Sequence, residues 1–137
     1  MRHERDGWSA ASLVIASVMG LLVGALVAAL ATFTHRQWRL ELGTFHPPLG
    51  LGIGLALLAV TFVGLRLAFV RAVAAGGSIG AVVAIAVLAL PGAGGSPIVA
   101  GDAIGWTWLA GAAVIGAVVV AWPARVPRRT GVVVDGQ

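Results

Sequence analysis

Four long stretches of this 137-residue chain contain no Asp, Glu, Lys, Arg or His, and they limit the possible folds more than any other feature. The stretches cover residues 7–34, 47–65, 72–101 and 103–124, with lengths of 28, 19, 30 and 22 residues. A helix needs about 20 mostly apolar residues to cross the hydrocarbon of a bilayer. Because hydrocarbon cannot hydrogen-bond a backbone, a spanning segment must be helical. The sequence therefore predicts an all-α, integral membrane four-helix bundle.

The composition supports this prediction and excludes several other classes of protein. Only 10% of the residues are charged and 59% are hydrophobic, whereas a soluble domain usually carries about 25% charged residues. Residues 1–137 are therefore expected to form one transmembrane domain. The nine basic residues are all Arg and are scattered beside the apolar stretches, so we predict no nucleic-acid partner. The chain has no Cys, which excludes disulfides, thiolate metal sites and Cys catalysis.

Local signals place the ends of the helices. Pro48 suits a helix start, Asp102 is a plausible N-cap, and Pro91-Gly92 is expected to stop the third helix. Arg66, Arg71 and the Gly76-Gly77 pair predict a tight turn near residues 70–75. The first apolar stretch is too long for a signal peptide, whose apolar region has about 7–15 residues, so we expect an uncleaved span. The predicted spans are approximately 9–34, 48–70, 74–90 and 103–122, followed by a short cytoplasmic tail at 123–137.

The distribution of arginine predicts the orientation in the membrane. With four spans, both termini and the middle turn share one side, which holds seven arginines: Arg2, Arg5, Arg66, Arg71, Arg125, Arg128 and Arg129. The other side holds only Arg36 and Arg39. The positive-inside rule then predicts a bacterial plasma-membrane protein with both termini in the cytoplasm. The predicted interfacial anchors are Trp8, Trp38, Trp106, Trp108 and Trp122, together with Arg66, Arg71, Arg125, Arg128 and Arg129.

Small residues recur at four-residue spacing along the predicted helices. Such residues share a helix face and allow two backbones to approach closely, which drives helix association in lipid. The pattern is compatible with contacts inside the bundle, which we favour, or with homodimerisation. The predicted packing residues are Gly20 and Gly24, Gly50 and Gly54, Gly76 and Gly80, and Gly101 and Gly105, followed by Ala112 and Gly116.

No pattern in the sequence predicts a catalytic, cofactor or metal site. Ionisable residues inside a membrane are usually functional, and the predicted spans carry none at mid-depth. Arg66 lies about one turn from the end of span 2, where its side chain can snorkel to the headgroups. A metal site built from His35, Glu41, His46 and Asp102 is conceivable, but the spacing fits no known metal motif. Solvated charges, with Asp102 paired to Arg36 or Arg39, are the simpler interpretation.

Some of these features resemble a known group of proteins. The Gly-rich first span, the compact turn from Arg66 to Arg71, and Gly101-Asp102 before a last span with Trp106 and Trp108 are similar to small uncharacterised actinobacterial membrane proteins of about four spans. The resemblance covers most of the chain. It implies a plasma-membrane location and no particular activity, so it assigns no functional residues.

These observations lead to a prediction about function. A bundle without buried charge, catalytic residues or a soluble domain offers mainly packing surfaces to other proteins. We therefore predict a non-enzymatic structural or accessory subunit, with the lipid bilayer, a larger membrane complex or further copies of the chain as partners. The alternatives are a small oligomeric transporter or channel, with a polar path lined by Ser12, Ser17 and Thr61, and an enzyme that uses the outer His35/Glu41/His46 loop.

Overall fold

The computed structural model describes residues 9–34, 48–92 and 94–123. These residues contain four helices: α1 (Ala10–Thr34), α2 (Leu49–Ala68), α3 (Arg71–Leu88) and α4 (Ala103–Ala121). Each helix is long and apolar enough to cross a membrane. The prediction of an all-α fold with four spans is therefore confirmed at this level.

The helix bounds follow the prediction most closely for α1 and α4. The third helix differs, because it begins at Arg71 and ends at Leu88 instead of covering 74–90. The chain turns at Phe69 and Val70, both of which have extended backbone conformations. Two extended residues are enough to reverse the chain here, so no glycine is needed at the turn. Gly76 and Gly77 instead lie inside α3 and are buried.

Contacts between helices show how the four ends are arranged. The contacts between α1 and α3 advance along both helices, with Ser17 against Gly76 and Leu21 against Gly80, so these two helices run in the same direction. Arg66 at the end of α2 reaches Trp122 after α4. We call this end of the bundle, with the starts of α1 and α3 and the ends of α2 and α4, the Arg66 end. The opposite end, which contains Thr32 and Trp108, is called the Trp108 end.

The helices pack as a rhombus rather than a square. The most extensive helix pair is α1 with α3, and α2 contacts each of the other three helices. The backbones of α1 and α4 do not pack directly against each other. The two central helices are therefore α2 and α3, and any contact between α1 and α4 must be made by long side chains.

The segment between α3 and α4 folds back over the Trp108 end. The carbonyl of Leu88 accepts hydrogen bonds from the backbone N–H groups of Ile98 and Val99, both at 3.0 Å. This arrangement buries Val99 against the core. The core consists mainly of small residues with a few large ones, of which the largest fully buried side chains are Trp108, Phe62, Leu58 and Ile85.

Candidate functional site

The closest helix contact lies between α1 and α3, where glycines on both helices bring the backbones together. A Cβ added to Gly20 would overlap the carbonyl oxygen of Val73, and one added to Gly24 would overlap that of Gly77. In the other direction, a Cβ on Gly76 would overlap the carbonyl of Ser17, and one on Gly80 that of Leu21. Backbone atoms cannot rotate away as side chains can, so each of these positions requires glycine. Both predicted packing pairs, Gly20/Gly24 and Gly76/Gly80, are therefore occupied by contacts within the chain.

Gly54 in α2 and Gly116 in α4 meet side chains rather than backbone. A Cβ on Gly54 would lie 2.9 Å from Cζ3 of Trp108, and one on Gly116 would lie 2.7 Å from Cβ of Ser78. Ala112 and Gly50 are also buried. Gly54 thus makes the space that Trp108 fills, and Gly116 brings α4 close to α3.

The Gly101/Gly105 pair does not form a helix-packing face. Gly101 precedes α4, is exposed, and has nothing within 4 Å of an added Cβ. A Cβ on Gly105 would overlap the carbonyl of Ala100, which belongs to the connecting segment. The four-residue spacing is therefore coincidental here, because α4 starts only at Ala103. The prediction that Gly101 packs against a helix needs this correction.

Trp108 fills the centre of the Trp108 end and has 0% exposure. Its indole N–H donates to the hydroxyl oxygen of Thr32 at 3.0 Å, and the Thr32 hydroxyl donates to the carbonyl of Ala28 at 2.7 Å. The side chain therefore links α4 to α1, two helices whose backbones do not meet. This placement differs from the predicted role of Trp108 as an interfacial anchor, because its ring is enclosed by protein and its N–H is bonded to Thr32.

Sequence reasoning missed the Trp108–Thr32 bond, although a signal for it exists. Gly20, Gly24, Ala28 and Thr32 follow one another at four-residue spacing, and all four are buried. This row is a single face of α1 directed at its neighbours. A polar residue that ends such a row must find a hydrogen-bond partner, since unsatisfied polar groups are costly in an apolar environment.

Except for Ser12, the other hydroxyl groups in the described helices bond to the backbone of their own helix. Ser17 donates to the carbonyl of Leu13 at 2.8 Å, Thr61 to that of Leu57 at 2.8 Å, and Ser78 to that of Ala74 at 2.9 Å. Ser12 lies within 2.8 Å of the Ser9 hydroxyl. In the described chain, Ser12, Ser17 and Thr61 share no hydrogen bond with one another, and the polar path that they would line stays a prediction.

Arg66 lies in the last turn of α2, at the Arg66 end, and reaches the residue that follows α4. Its Nη2 donates to the carbonyl oxygen of Trp122 at 3.4 Å, and its Nε is enclosed with no hydrogen-bond partner among the described residues. Trp122 is the C-cap residue of α4. A cation at this position is favoured by the partial negative charge at a helix C-terminus. Arg71, the first residue of α3, is exposed.

The remaining predicted anchors fall into two groups. Trp106 and Trp122 are 65% and 59% exposed, and they belong to opposite ends of α4. Trp8, Trp38, Arg125, Arg128 and Arg129 lie outside the described residues. The interfacial role of both groups stays a prediction.

The start of α4 and the preceding segment enclose a small apolar depression. It has a volume of about 160 Å³ and is lined mainly by Val99, Gly105, Trp106 and Leu109. Asp102 caps α4 beside it, because its Oδ1 accepts from the backbone N–H of Gly105 at 2.9 Å. The predicted N-cap is therefore confirmed. Carboxylates and imidazoles do not cluster in the part of the chain that the structure describes, and His35, Glu41 and His46 lie outside it.

Comparisons with known proteins add no relative to this description. The chain matches no family model, no curated protein and no solved structure. The resemblance to small actinobacterial membrane proteins therefore stays a prediction. The helices themselves carry the conclusion: the chain is an all-α, multi-pass membrane protein with four candidate spans.

Proposed function

We propose that this protein is a small structural or accessory subunit of a membrane complex in a bacterial plasma membrane, with both termini in the cytoplasm. It works by packing against another membrane protein and has no catalytic role. The single observation that carries the proposal is the contrast between a closed interior and an outward helix face that is built for close contact.

The interior of the bundle is occupied by helix contacts. Gly20, Gly24, Gly76 and Gly80 hold α1 and α3 at backbone distance, and Trp108 fills the space between α4 and α1. Within the described helices, Arg66 and Arg71 are the only charged residues, and both belong to the Arg66 end. A path for a polar solute through one copy of the chain would have to break these contacts. The arrangement therefore favours a packing role over transport.

The outward face of α2 differs from that of α1. On α2, Gly52, Ala56 and Gly64 are exposed in one row at four-residue spacing that also includes the larger Val60, which is 70% exposed. A Cβ at Gly52 or Gly64 would meet nothing within 4 Å. On α1, the exposed face carries large side chains, including Ile15, Met19, Leu22, Leu26 and Leu30. Small residues on a membrane helix allow a neighbouring helix to approach closely, while large apolar residues suit contact with lipid. The α2 face is therefore the proposed contact with the partner.

The charge distribution supports the proposed orientation. The helix ends that continue into residues 1–8 and 124–137 lie at the Arg66 end. In the sequence, residues 1–8 have no net charge, Arg66 and Arg71 contribute two positive charges, and residues 124–137 contribute two more. The whole formal net charge of +4 thus belongs to segments at, or joined to, this end. The positive-inside rule counts basic residues rather than net charge, and seven of the nine arginines belong to these segments, so we assign this end to the cytoplasm.

The proposal is tested by purifying the tagged protein from its native membranes in a mild detergent. We expect a larger membrane protein to co-purify at constant stoichiometry with the unaltered chain. Gly64→Leu should abolish this association, because the new side chain fills the open face of α2. Met19→Leu, which changes an exposed side chain on α1, should leave the recovery of the partner unchanged. Equal recovery of the partner with both variants would contradict the assigned face.

The same experiment separates the alternative function. The α2 face could also accept a second copy of the chain, which would fit a small oligomeric transporter or channel. In that case purification recovers a defined homo-oligomer without another protein, and Gly64→Leu converts it to monomers. This outcome would replace the accessory-subunit proposal with the alternative.

A further inference from the structure

The Arg66 end carries positive charge that the described residues do not balance. The three charged residues in the described ranges are Arg66, Arg71 and Asp102. Asp102 caps the first turn of α4 at the opposite end of that helix. From Ala103 to Ala121, a helix rises about 27 Å at 1.5 Å per residue. Direct pairing of Asp102 with Arg66 or Arg71 is therefore impossible.

Among the described residues Arg66 contacts no anionic side chain, and only the partial negative charge at the C-terminus of α4 faces it. Its Nη2 donates at 3.4 Å to the Trp122 carbonyl, which is a neutral peptide group, and its Nε has no acceptor in the described chain. The side chain is only partly buried, so part of the guanidinium remains accessible. A cation at the end of an apolar helix favours an anionic partner, because desolvation without pairing is costly.

Arg71 adds a second positive charge to the same region. Only Phe69 and Val70 separate the end of α2 from Arg71 at the start of α3, and Arg71 is exposed. Trp122, which supplies the carbonyl bound by Arg66, is itself 59% exposed. Tryptophan with a polar edge is typical of the headgroup level of a bilayer. The two arginines thus lie at helix ends beside the level where lipid phosphates are found.

We propose that Arg66 and Arg71 form a binding site for the phosphate of an anionic phospholipid. The guanidinium group offers several N–H donors in a fixed plane, and this geometry matches phosphate oxygens. The lipid headgroup supplies the negative charge that the described part of this end lacks, and its acyl chains lie along the exposed apolar face of α3, which carries Ile79, Val83 and Val87. This site goes beyond the proposed packing role and does not depend on it.

The test measures lipid selectivity of the full chain. The purified protein is mixed with dansyl-labelled phosphatidylglycerol or dansyl-labelled phosphatidylcholine in detergent micelles, and energy transfer from tryptophan reports binding. The unaltered chain should prefer phosphatidylglycerol. A basic side chain near an anionic surface contributes about 1 kcal/mol, so Arg66→Gln and Arg71→Gln should each lower the preference about fivefold. The double variant should lower it about twenty-five-fold if the two contributions add.

Arg39→Gln is the matched control, because it removes the same charge from the segment between α1 and α2 at the opposite end. The site is supported if this variant keeps the selectivity of the unaltered chain. An equal loss in all three single variants would show a general effect of net charge and would overturn the proposal. The exposed side chain of Arg71 can be replaced without disturbing the fold. If Arg71→Gln and Arg66→Gln both keep the lipid selectivity of the unaltered chain, the proposal is also overturned. Displacement of the labelled lipid by millimolar inorganic phosphate would assign the site to free phosphate instead.

Discussion

The contact between α1 and α3 gives the sharpest prediction, because glycine there faces backbone. A Cβ on Gly24 would lie 2.6 Å from the carbonyl carbon and 2.7 Å from the Cα of Gly77, and its overlap with the carbonyl oxygen is closer still. Ordinary van der Waals contact begins at 3.4 Å. Gly24→Ala therefore requires the helices to separate by at least about 0.8 Å, the difference between 3.4 Å and the 2.6 Å to the carbonyl carbon.

The size of the effect follows from what that separation removes. A radial gap of about 0.5–1 Å loses a quarter to a half of the dispersion energy of each contact, and dispersion is a main source of helix association in lipid. Inserting a methyl group into a packed site costs about 1–3 kcal/mol. Alanine also raises helix propensity by about 1 kcal/mol over glycine, which partly hides the cost in a single measurement.

Gly64→Ala is the control that separates these two contributions. Gly64 is also within a helix, but an added Cβ there meets nothing within 4 Å. The two variants gain similar helix propensity, so the difference between their unfolding free energies isolates the steric cost. We expect Gly24→Ala to be less stable than Gly64→Ala by about 1–3 kcal/mol, measured by reversible unfolding in mixed SDS micelles. Gly20→Leu and Gly24→Leu should disrupt the bundle further.

Equal stability of Gly24→Ala and Gly64→Ala would refute the packing argument. It would mean that α1 and α3 can separate at no cost, and therefore that the glycine contacts do not hold the pair together. A Gly24→Ala variant that is more stable than Gly64→Ala would be a stronger contradiction, because no steric term could then be present.

Three further predictions concern the Trp108 end, the cap of α4 and the membrane orientation. Trp108→Phe and Thr32→Val are combined in a double-mutant cycle that measures the free energy of unfolding in detergent. We expect a coupling free energy of about 0.6 kcal/mol and at most about 1.7 kcal/mol, and zero coupling would exclude the 3.0 Å bond. Asp102→Ala should lower the stability by about 1 kcal/mol, because the N-cap acceptor for the N–H of Gly105 is lost, whereas Asp102→Asn should cost less. An equal loss of stability in thermal unfolding of the two variants would count against capping. Because the chain has no Cys, single cysteines can be introduced to report the orientation. A cysteine in residues 1–8 or 124–137 should react with an impermeant maleimide only after cell lysis, whereas one in residues 35–47 should react in intact cells. The reverse pattern would invert the proposed orientation.

The sequence was sufficient for the number of helices and for most of their bounds. In a bilayer, the backbone of an uncharged stretch of about 20 residues must bond to itself, so apolar length alone specifies a helix. The cap at Asp102 was also predictable, because it depends on a residue and the N–H groups that directly follow it. These features are local in the chain, which is why the sequence determines them without knowledge of the neighbouring helices.

The choice of partners required the tertiary structure. Four-residue spacing places glycines on one face but does not specify which helix meets that face, and only the structure pairs Gly24 with Gly77 in α3 and leaves Gly52 and Gly64 open. Gly101 and Gly105 have the same spacing, but Gly101 makes no helix contact, because it precedes the start of α4. Trp108 illustrates the limit most clearly, since a tryptophan near a helix end can face headgroups or protein, and the space beside Gly54 together with the Thr32 hydroxyl places it inside. Packing depends on atoms far apart in the chain, and their proximity is fixed only when the helices assemble.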